Sequence, residues 1–172
     1  MKKLEEYVRS IPDFPEPGII FRDVTSILQD ADGLHMAVDS LIDMVKDLDY
    51  DLVIGPESRG FIFGVPVAYA QHKGFVPVRK KGKLPCETIA MEYDLEYGQA
   101  EIEIHKDAIS EDDIILLHDD LLATGGTMKA ACKLVKKFNP KKVYVNFLVE
   151  LEFLKGRNLF PNDVEIESLI KY

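Results

Sequence analysis

Residues 114–127, IILLHDDLLATGGT, decide how the rest of the chain is read. Ile114, Ile115, Leu116 and Leu117 are apolar without alternation, which suits a central strand covered on both faces. Two adjacent carboxylates, Asp119 and Asp120, follow. A short loop over 121–126 carries Thr124 and the pair Gly125-Gly126, and a helix-like stretch begins near Thr127. A strand, an acid pair, a small-residue loop and a helix start in this order can hold a sugar phosphate. The acids accept hydrogen bonds from sugar hydroxyls. The loop and helix start offer backbone N–H groups and a positive dipole end to a phosphate.

The flanking sequence repeats the strand–helix alternation. Leu34, Val38, Leu41, Val45 and Leu48 recur at helical spacing, and residues 51–54 read as a short buried strand ended by Gly55-Pro56. Residues 60–71 are apolar and helical in character, but Pro66 conflicts with a helix interior, so the helix starts later or kinks. Residues 75–79 read as a strand and 80–98 as a long irregular or hairpin-like excursion. Residues 100–105 alternate, placing Glu101, Glu103 and His105 on the exposed face of a half-exposed strand. Ala131, Leu134, Val135 and Phe138 give the next helix its apolar stripe, and strands follow over 142–149 and 164–170. At the N-terminus, residues 3–9 read as a short helix. Residues 11–18, IPDFPEPG, hold three prolines and are extended or turning.

This alternation implies an α/β fold with a mainly parallel twisted sheet and helices on both faces. Ligands bind such sheets beyond the carboxyl ends of the strands. The unusual residues fall there: GPESRG (55–60), RKKGK (79–83) and DDLLATGG (119–126). The basic run alone reads as a solvated loop. Its convergence with two other strand-end loops makes it part of a site.

Composition narrows the function. At 172 residues, 47% apolar and 30% charged, the chain reads as one soluble domain over 1–172, with no linker or repeat. A net charge of −9 argues against binding nucleic acid or an anionic membrane surface. No apolar run approaches the ~18 residues of a membrane helix, and MKKLEEYVRS lacks the apolar stretch of a signal peptide. Two cysteines, Cys86 and Cys132, suggest neither a disulfide framework nor a zinc site, so a reducing cytoplasm is expected. His35, His72 and His105 lack ligand spacing, and no Walker A or GxGxxG pattern occurs.

HDDLLATGGT (118–127) resembles the phosphoribosyl-pyrophosphate (PRPP) motif of the type I phosphoribosyltransferases. FPEPGIIFRDVTSIL (14–28), GPESRGFIFG (55–64), VRKKGKLP (78–85), EYDLEYG (92–98) and VELEFLKGR (149–157) resemble segments of the adenine-using members, in order. The resemblance implies adenine and PRPP as substrates, and AMP and pyrophosphate as products, through an oxocarbenium-like displacement at the ribose anomeric carbon. No covalent nucleophile is needed, so positioning, water exclusion and electrostatics carry the catalysis.

The resemblance also implies roles. Asp119 and Asp120 would grip the ribose hydroxyls, directly or through water on magnesium. The ion itself would be carried by PRPP, with no direct protein ligand. Ala123, Thr124, Gly125, Gly126 and Thr127 would wrap the 5′-phosphate. Glu57, Ser58 and Arg59, with a non-proline cis peptide between Glu57 and Ser58, would form the pyrophosphate loop, joined by Arg79, Lys83 and Tyr97. Glu96 would transfer a proton at the purine. Ile20, Phe21 and Arg22, on an N-terminal flap spanning residues 1–30, would hold adenine against Leu151, and Arg22 would also reach phosphate. A homodimer is implied as well. His118 departs from the apolar residue that usually precedes the acids, and reads as a core histidine or a contact to the flap. The alternatives are another purine phosphoribosyltransferase, or a PRPP-sensing regulator without catalysis.

Overall fold

The computed structural model describes every residue except Met1, Pro15, Glu96 and Tyr97, and of Leu95 the backbone alone. A short 3-10 turn, Leu4–Tyr7, takes the place of the helix expected over 3–9, and by Arg9 the chain is already extended. Strands β1 (Arg9–Pro12) and β2 (Ile20–Asp23) pair antiparallel as a small separate sheet. Helix α1 (Ala31–Val45) follows, its start capped by the Asp30 carboxylate, which accepts N–H bonds from Asp32 and Gly33. Its buried face is Gly33, Ala37, Leu41 and Val45.

The remaining elements form the main sheet and its cover: β3 (Leu52–Pro56), α2 (Arg59–Ala70), β4 (Gly74–Lys80), β5 (Thr88–Leu95), β6 (Gly98–His105), β7 (Ile114–Leu122), α3 (Gly126–Lys136), β8 (Lys142–Glu150) and β9 (Glu165–Lys171). The sheet order is β5-β6-β4-β3-β7-β8-β9. Strands β4, β3, β7, β8 and β9 are mutually parallel, whereas β6 runs antiparallel to β4 and β5. The mainly parallel sheet expected from sequence is therefore present, with an antiparallel hairpin at one edge. Much of the excursion expected over 80–98 belongs to that hairpin.

Strand β7 is buried on both faces. Ile115 and Leu117 pack in the core beneath α3 with Ala131, Leu134 and Val135. Leu116 packs on the opposite side with Leu41, Val45, Phe63 and Val67 from α1 and α2. Two expectations are corrected. Helix α2 starts early, at Arg59, and carries Pro66 in its interior. The missing proline N–H leaves the Ile62 carbonyl without its helical donor. Strand β6 is not half-exposed at its far end, because Glu103 is buried along with Ile102 and Ile104.

Candidate active site

The carboxyl ends of β3 and β7 open onto a cavity of about 400 Å³ lined by Glu57, Ser58, Arg59, Asp119 and residues 123–128. Two loops distant in sequence thus share one wall. Gly125 has a φ of 82°, the left-handed region that favours glycine, and turns the chain from β7 into α3. No side chain caps α3, and its first turn contains no acid. The N–H groups of that turn stand at the cavity without intrahelical acceptors, at the positive end of the helix dipole. An anion of phosphate size suits this corner. The Tyr93 hydroxyl, on β5, lies 3.4 Å from Thr127 Oγ1 and brings the hairpin to the same loop.

The acid pair is split by its surroundings. Asp119 lines the cavity, whereas Asp120 lies behind the wall and is buried. Asp119 Oδ1 accepts the Asp120 N–H at 2.9 Å. Arg59 Nε lies 3.0 Å from Asp120 Oδ2. That contact is an ion pair without hydrogen-bond alignment, so the buried Oδ2 has no hydrogen-bond donor. Burial, then the charge of Asp120, raises Asp119 well above the usual carboxylate range. Burial also raises Asp120, and Arg59 opposes the rise. With Nε turned to Asp120, the outer nitrogens of Arg59 are left for a ligand.

The peptide between Glu57 and Ser58 is cis, as the resemblance implied. Arg79 and Lys83 do not line the cavity. Both turn to the Glu57 carboxylate, Arg79 Nε at 2.7 Å and Lys83 Nζ at 2.7 Å. Burial pushes the Glu57 carboxyl up, but these two donors outweigh it and hold it below its ordinary range. The cations therefore stand one residue behind the wall, and the cluster carries a net positive charge. Glu103 supports it from β6 by accepting the N–H groups of Lys83 and Leu84 at 3.0 and 2.9 Å and the Thr88 hydroxyl at 3.2 Å. Those donors outweigh burial and keep Glu103 ionised below the usual range. Strand alternation places Glu103 toward solvent, and nothing local in sequence announces the loop that covers it.

The flap residues do not line this cavity. Ile20 is exposed, while Phe21 and Arg22 are half-buried on β2. Phe21 meets Phe14 edge-to-face, with centroids 5.3 Å apart. The Arg22 guanidinium stacks on the Tyr172 ring at 3.8 Å and bonds the Ser10 hydroxyl. Leu151 is half-buried, and its N–H donates to the Leu122 carbonyl at 2.9 Å, just before the phosphate-loop candidates. Glu96 and Tyr97 lie outside the described residues.

One support of the loop has no signal in the residue pattern. Gly156 is buried with its backbone against residues 123–125; a Cβ there would lie 2.2 Å from the Ala123 carbonyl oxygen. Reciprocally, a Cβ on Gly125 would lie 2.8 Å from the Gly156 oxygen. Arg157 anchors this contact. Its Nε and Nη2 bond the two oxygens of buried Glu150 at 3.0 and 2.6 Å, and its Nη1 donates to the Ile166 carbonyl at 2.7 Å. Arg157 foremost holds the Glu150 carboxyl below its ordinary range. Such a two-point fork is among the stronger ion pairs.

His118 is a core residue. It is buried on the α2 side, where its Nδ1 donates to Asn146 Oδ1 at 2.9 Å and its Nε2 has no partner. Burial lowers its pKa to about 4, against the smaller opposing effect of Asn146. A base with a depressed folded pKa loses stability on acidification, because below the ordinary value of 6.5 the unfolded chain takes the proton first. Replacing His118 by valine removes this component. Whatever His118→Val costs at pH 7, that cost should shrink by about 2–3 kcal/mol at pH 4.5 in paired urea melts. An unchanged difference between the two proteins at the two pH values would show that His118 does not titrate this way.

Parallel strands ending in an acid pair, a glycine turn and an uncapped helix start, facing a second loop backed by cations, define a fold and site for a phosphorylated sugar. The phosphoribosyl transferase domain family matches residues 25–155, and the chain belongs to that family. It is 59% identical to the adenine phosphoribosyltransferase of Lachnoclostridium phytofermentans, over 100% of this chain and 98% of the relative. Among solved structures, the adenine phosphoribosyltransferase of Thermoanaerobacter pseudethanolicus superposes with a TM-score of 0.91 at 47% identity, covering 99% of this chain and 100% of that one. The APRTase of Giardia lamblia, solved with 9-deazaadenine, superposes with a TM-score of 0.89 at 39% identity, covering 98% and 96%.

Proposed function

We propose that this chain joins adenine to PRPP and releases AMP and pyrophosphate, the purine-salvage reaction of adenine phosphoribosyltransferases. The observation that carries the reading is the single cavity shared by Glu57, Ser58, Arg59, Asp119 and residues 123–128, on a chain with full-length relatives of that activity. In the reaction the bond from the anomeric carbon to pyrophosphate breaks and the bond to adenine N9 forms. Positive charge develops on the sugar and negative charge on the leaving group.

Residues 123–127 bind the 5′-phosphate through backbone N–H groups and the hydroxyls of Thr124 and Thr127. Asp119 accepts from the ribose hydroxyls at the wall, and Asp120 adds negative charge behind it, which favours a cationic sugar. Arg59 and the Glu57–Arg79–Lys83 cluster receive pyrophosphate. Ile20, Phe21, Arg22 and Leu151 hold the base, with residues 1–30 as the covering flap of one catalytic domain, 1–172. Glu96 transfers a proton near N7 and Tyr97 contacts phosphate.

Magnesium fits as an ion delivered by the substrate. Among the described residues no group of three or more His, Cys, Asp or Glu side chains could hold a metal. Asp119 nevertheless presents a hard oxygen at the wall, and Asp120 keeps an oxygen without a hydrogen-bond donor. When bound, the ion would neutralise charge on pyrophosphate, with Asp119 the acid placed to meet it through water and Asp120 adding charge from behind the wall.

Ile62, Val65 and Tyr69 form an exposed apolar stripe on α2, with Tyr69 87% exposed. This supports a homodimer that covers the stripe. Two free cysteines, one exposed, support a reducing cytoplasmic setting. Among the described residues no helix is long and apolar enough to cross a membrane.

The test is incubation with PRPP, magnesium and each nucleobase in turn, following nucleotide formation. Adenine should give AMP. Faster turnover of hypoxanthine or guanine would assign another purine specificity, and PRPP binding without any nucleotide product would mark a sensor.

A further inference from the structure

We infer that Tyr172 is a positioning residue for the nucleobase: its ring holds Arg22, and with it the flap strand, against the segment that carries Leu151. The inference rests on the base-site reading of Phe21 and Leu151 above.

The geometry has two halves. On the flap side, the Arg22 guanidinium lies 3.8 Å from the Tyr172 ring centroid. The same guanidinium bonds the hydroxyl of Ser10, the residue paired with Arg22 in the β1–β2 register. Both flap strands therefore converge on that one stack. On the body side, Tyr172 extends the path of β9. Its N–H donates to the Glu150 carbonyl at 3.0 Å, and its own carbonyl accepts the Glu152 N–H at 2.8 Å. These two bonds bracket Leu151 and fix the Tyr172 backbone relative to it. The ring then connects the two candidate walls of the base site, Phe21 on the strand that Arg22 occupies and Leu151 between the two bracketed residues.

Other attachments of the flap lie nearer its base. The Arg9 N–H donates to Ser26 Oγ at 2.9 Å, and the Ser26 hydroxyl bonds the Tyr7 and Asp23 carbonyls. Val24 and Ile27 are buried just after β2. These bonds secure the root of the flap and leave the spacing of β2 from Leu151 to the stack. A guanidinium over an aromatic face is directional, and any ring with a π face supplies it.

The experiment measures KM for adenine at saturating PRPP and KM for PRPP at saturating adenine in Tyr172→Ala, Tyr172→Leu, Tyr172→Phe and Phe21→Ala, each alongside a thermal melt. Tyr172→Ala and Tyr172→Leu should raise KM for adenine about tenfold, and leave KM for PRPP and kcat within about twofold, since one stacking contact is lost away from the reacting atoms. Leucine keeps apolar bulk at the position, so it separates the ring face from packing if the alanine variant folds poorly. Tyr172→Phe keeps the face and should match the parent. If Phe21→Ala raises KM for adenine while the alanine and leucine variants at Tyr172 do not, the positioning role of Tyr172 is wrong and the base site stands. If Phe21→Ala leaves KM for adenine unchanged, the base-site reading itself fails. A parallel rise in both KM values in Tyr172→Leu would make Tyr172 a general structural residue and overturn the inference.

Discussion

Asp119→Asn combined with Asp120→Asn should remove PRPP turnover and, at the same time, raise the melting temperature at pH 7. The two effects share one cause. Both carboxyls are raised above their ordinary range, first by burial and, at Asp119, next by the neighbouring Asp120. A group whose folded pKa is raised costs stability as pH climbs past its unfolded value, so the pair destabilises the free protein at neutral pH. Arg59 offsets part of this cost at Asp120, but its side chain is 46% exposed and aligned for no hydrogen bond to Oδ2. Amides keep the shape and shed the charge. The melting point should rise by about 2–4 °C for each kcal/mol regained.

The same exchange removes the negative field beneath a cationic sugar and the charged acceptors for its hydroxyls. Losing one preorganised electrostatic group commonly costs about a hundredfold to a thousandfold in rate, and both are lost here. The loss in kcat/KM for PRPP should therefore be about a thousandfold or more. Normal turnover would refute the ribose assignment. A fall in melting temperature would refute the claim that the acids are held at a cost, a trade common where function needs unfavourable charge.

Gly156→Ala should cripple both the fold around the loop and the affinity for PRPP. The new Cβ would lie 2.2 Å from the Ala123 carbonyl, 3.1 Å from Leu122 Cδ1 and 3.1 Å from the Thr124 carbonyl carbon. Two of these neighbours are backbone and cannot rotate aside, so relief requires moving residues 123–125 or the 156–157 segment by about an ångström. The segment is held by the Arg157–Glu150 fork, which leaves the loop to move. Overpacking of this kind costs about 1–3 kcal/mol and sometimes more. The displaced loop should show as a rise in KM for PRPP with little change in KM for adenine.

Gly126→Ala is the informative contrast. A Cβ there meets nothing within 4 Å, so the melting temperature should hold while PRPP binding suffers from the methyl group in the cavity. Wild-type stability and wild-type KM for PRPP in Gly156→Ala would show that residues 123–125 do not depend on this contact.

What was legible in the sequence was carried by local pattern. The unbroken apolar run before Asp119 marked a doubly covered strand, because burial on both faces abolishes alternation. Gly125 and the residues after it marked a turn into a helix start, because only backbone with a glycine's freedom turns there. Helix α1 was legible from its spacing. Pro66 misled, because α2 runs through it with Phe63 and Val67 packed in the core on either side.

Other features depended on partners far away in sequence. Glu103 looked solvent-facing because its neighbours alternate, yet the N–H groups of Lys83 and Leu84 on a covering loop and the Thr88 hydroxyl at the start of β5 satisfy it as it is buried. Arg79 and Lys83 were legible as cations near an anion site, but not as ligands of Glu57, since that pairing needs β4 and its loop folded beside the end of β3. Arg22 lies on β2. Its partner, Tyr172, lies at the opposite end of the sequence.

The sequence by itself determined the alternation of helices and parallel strands, which strand is central, where the glycine turn into α3 lies and which residue types cluster at the strand ends. These follow from apolar period, glycine and proline geometry and charge, all properties of near neighbours along the chain. Only the tertiary structure decided that Asp119 lines the cavity while Asp120 stands behind it, that Gly156 packs against the loop at 123–125, and that Arg22 on β2 stacks on Tyr172, whose backbone bonds Glu150 and Glu152. Each of these depends on distances between segments, and those distances are set by sheet order and side-chain packing, which local pattern does not contain.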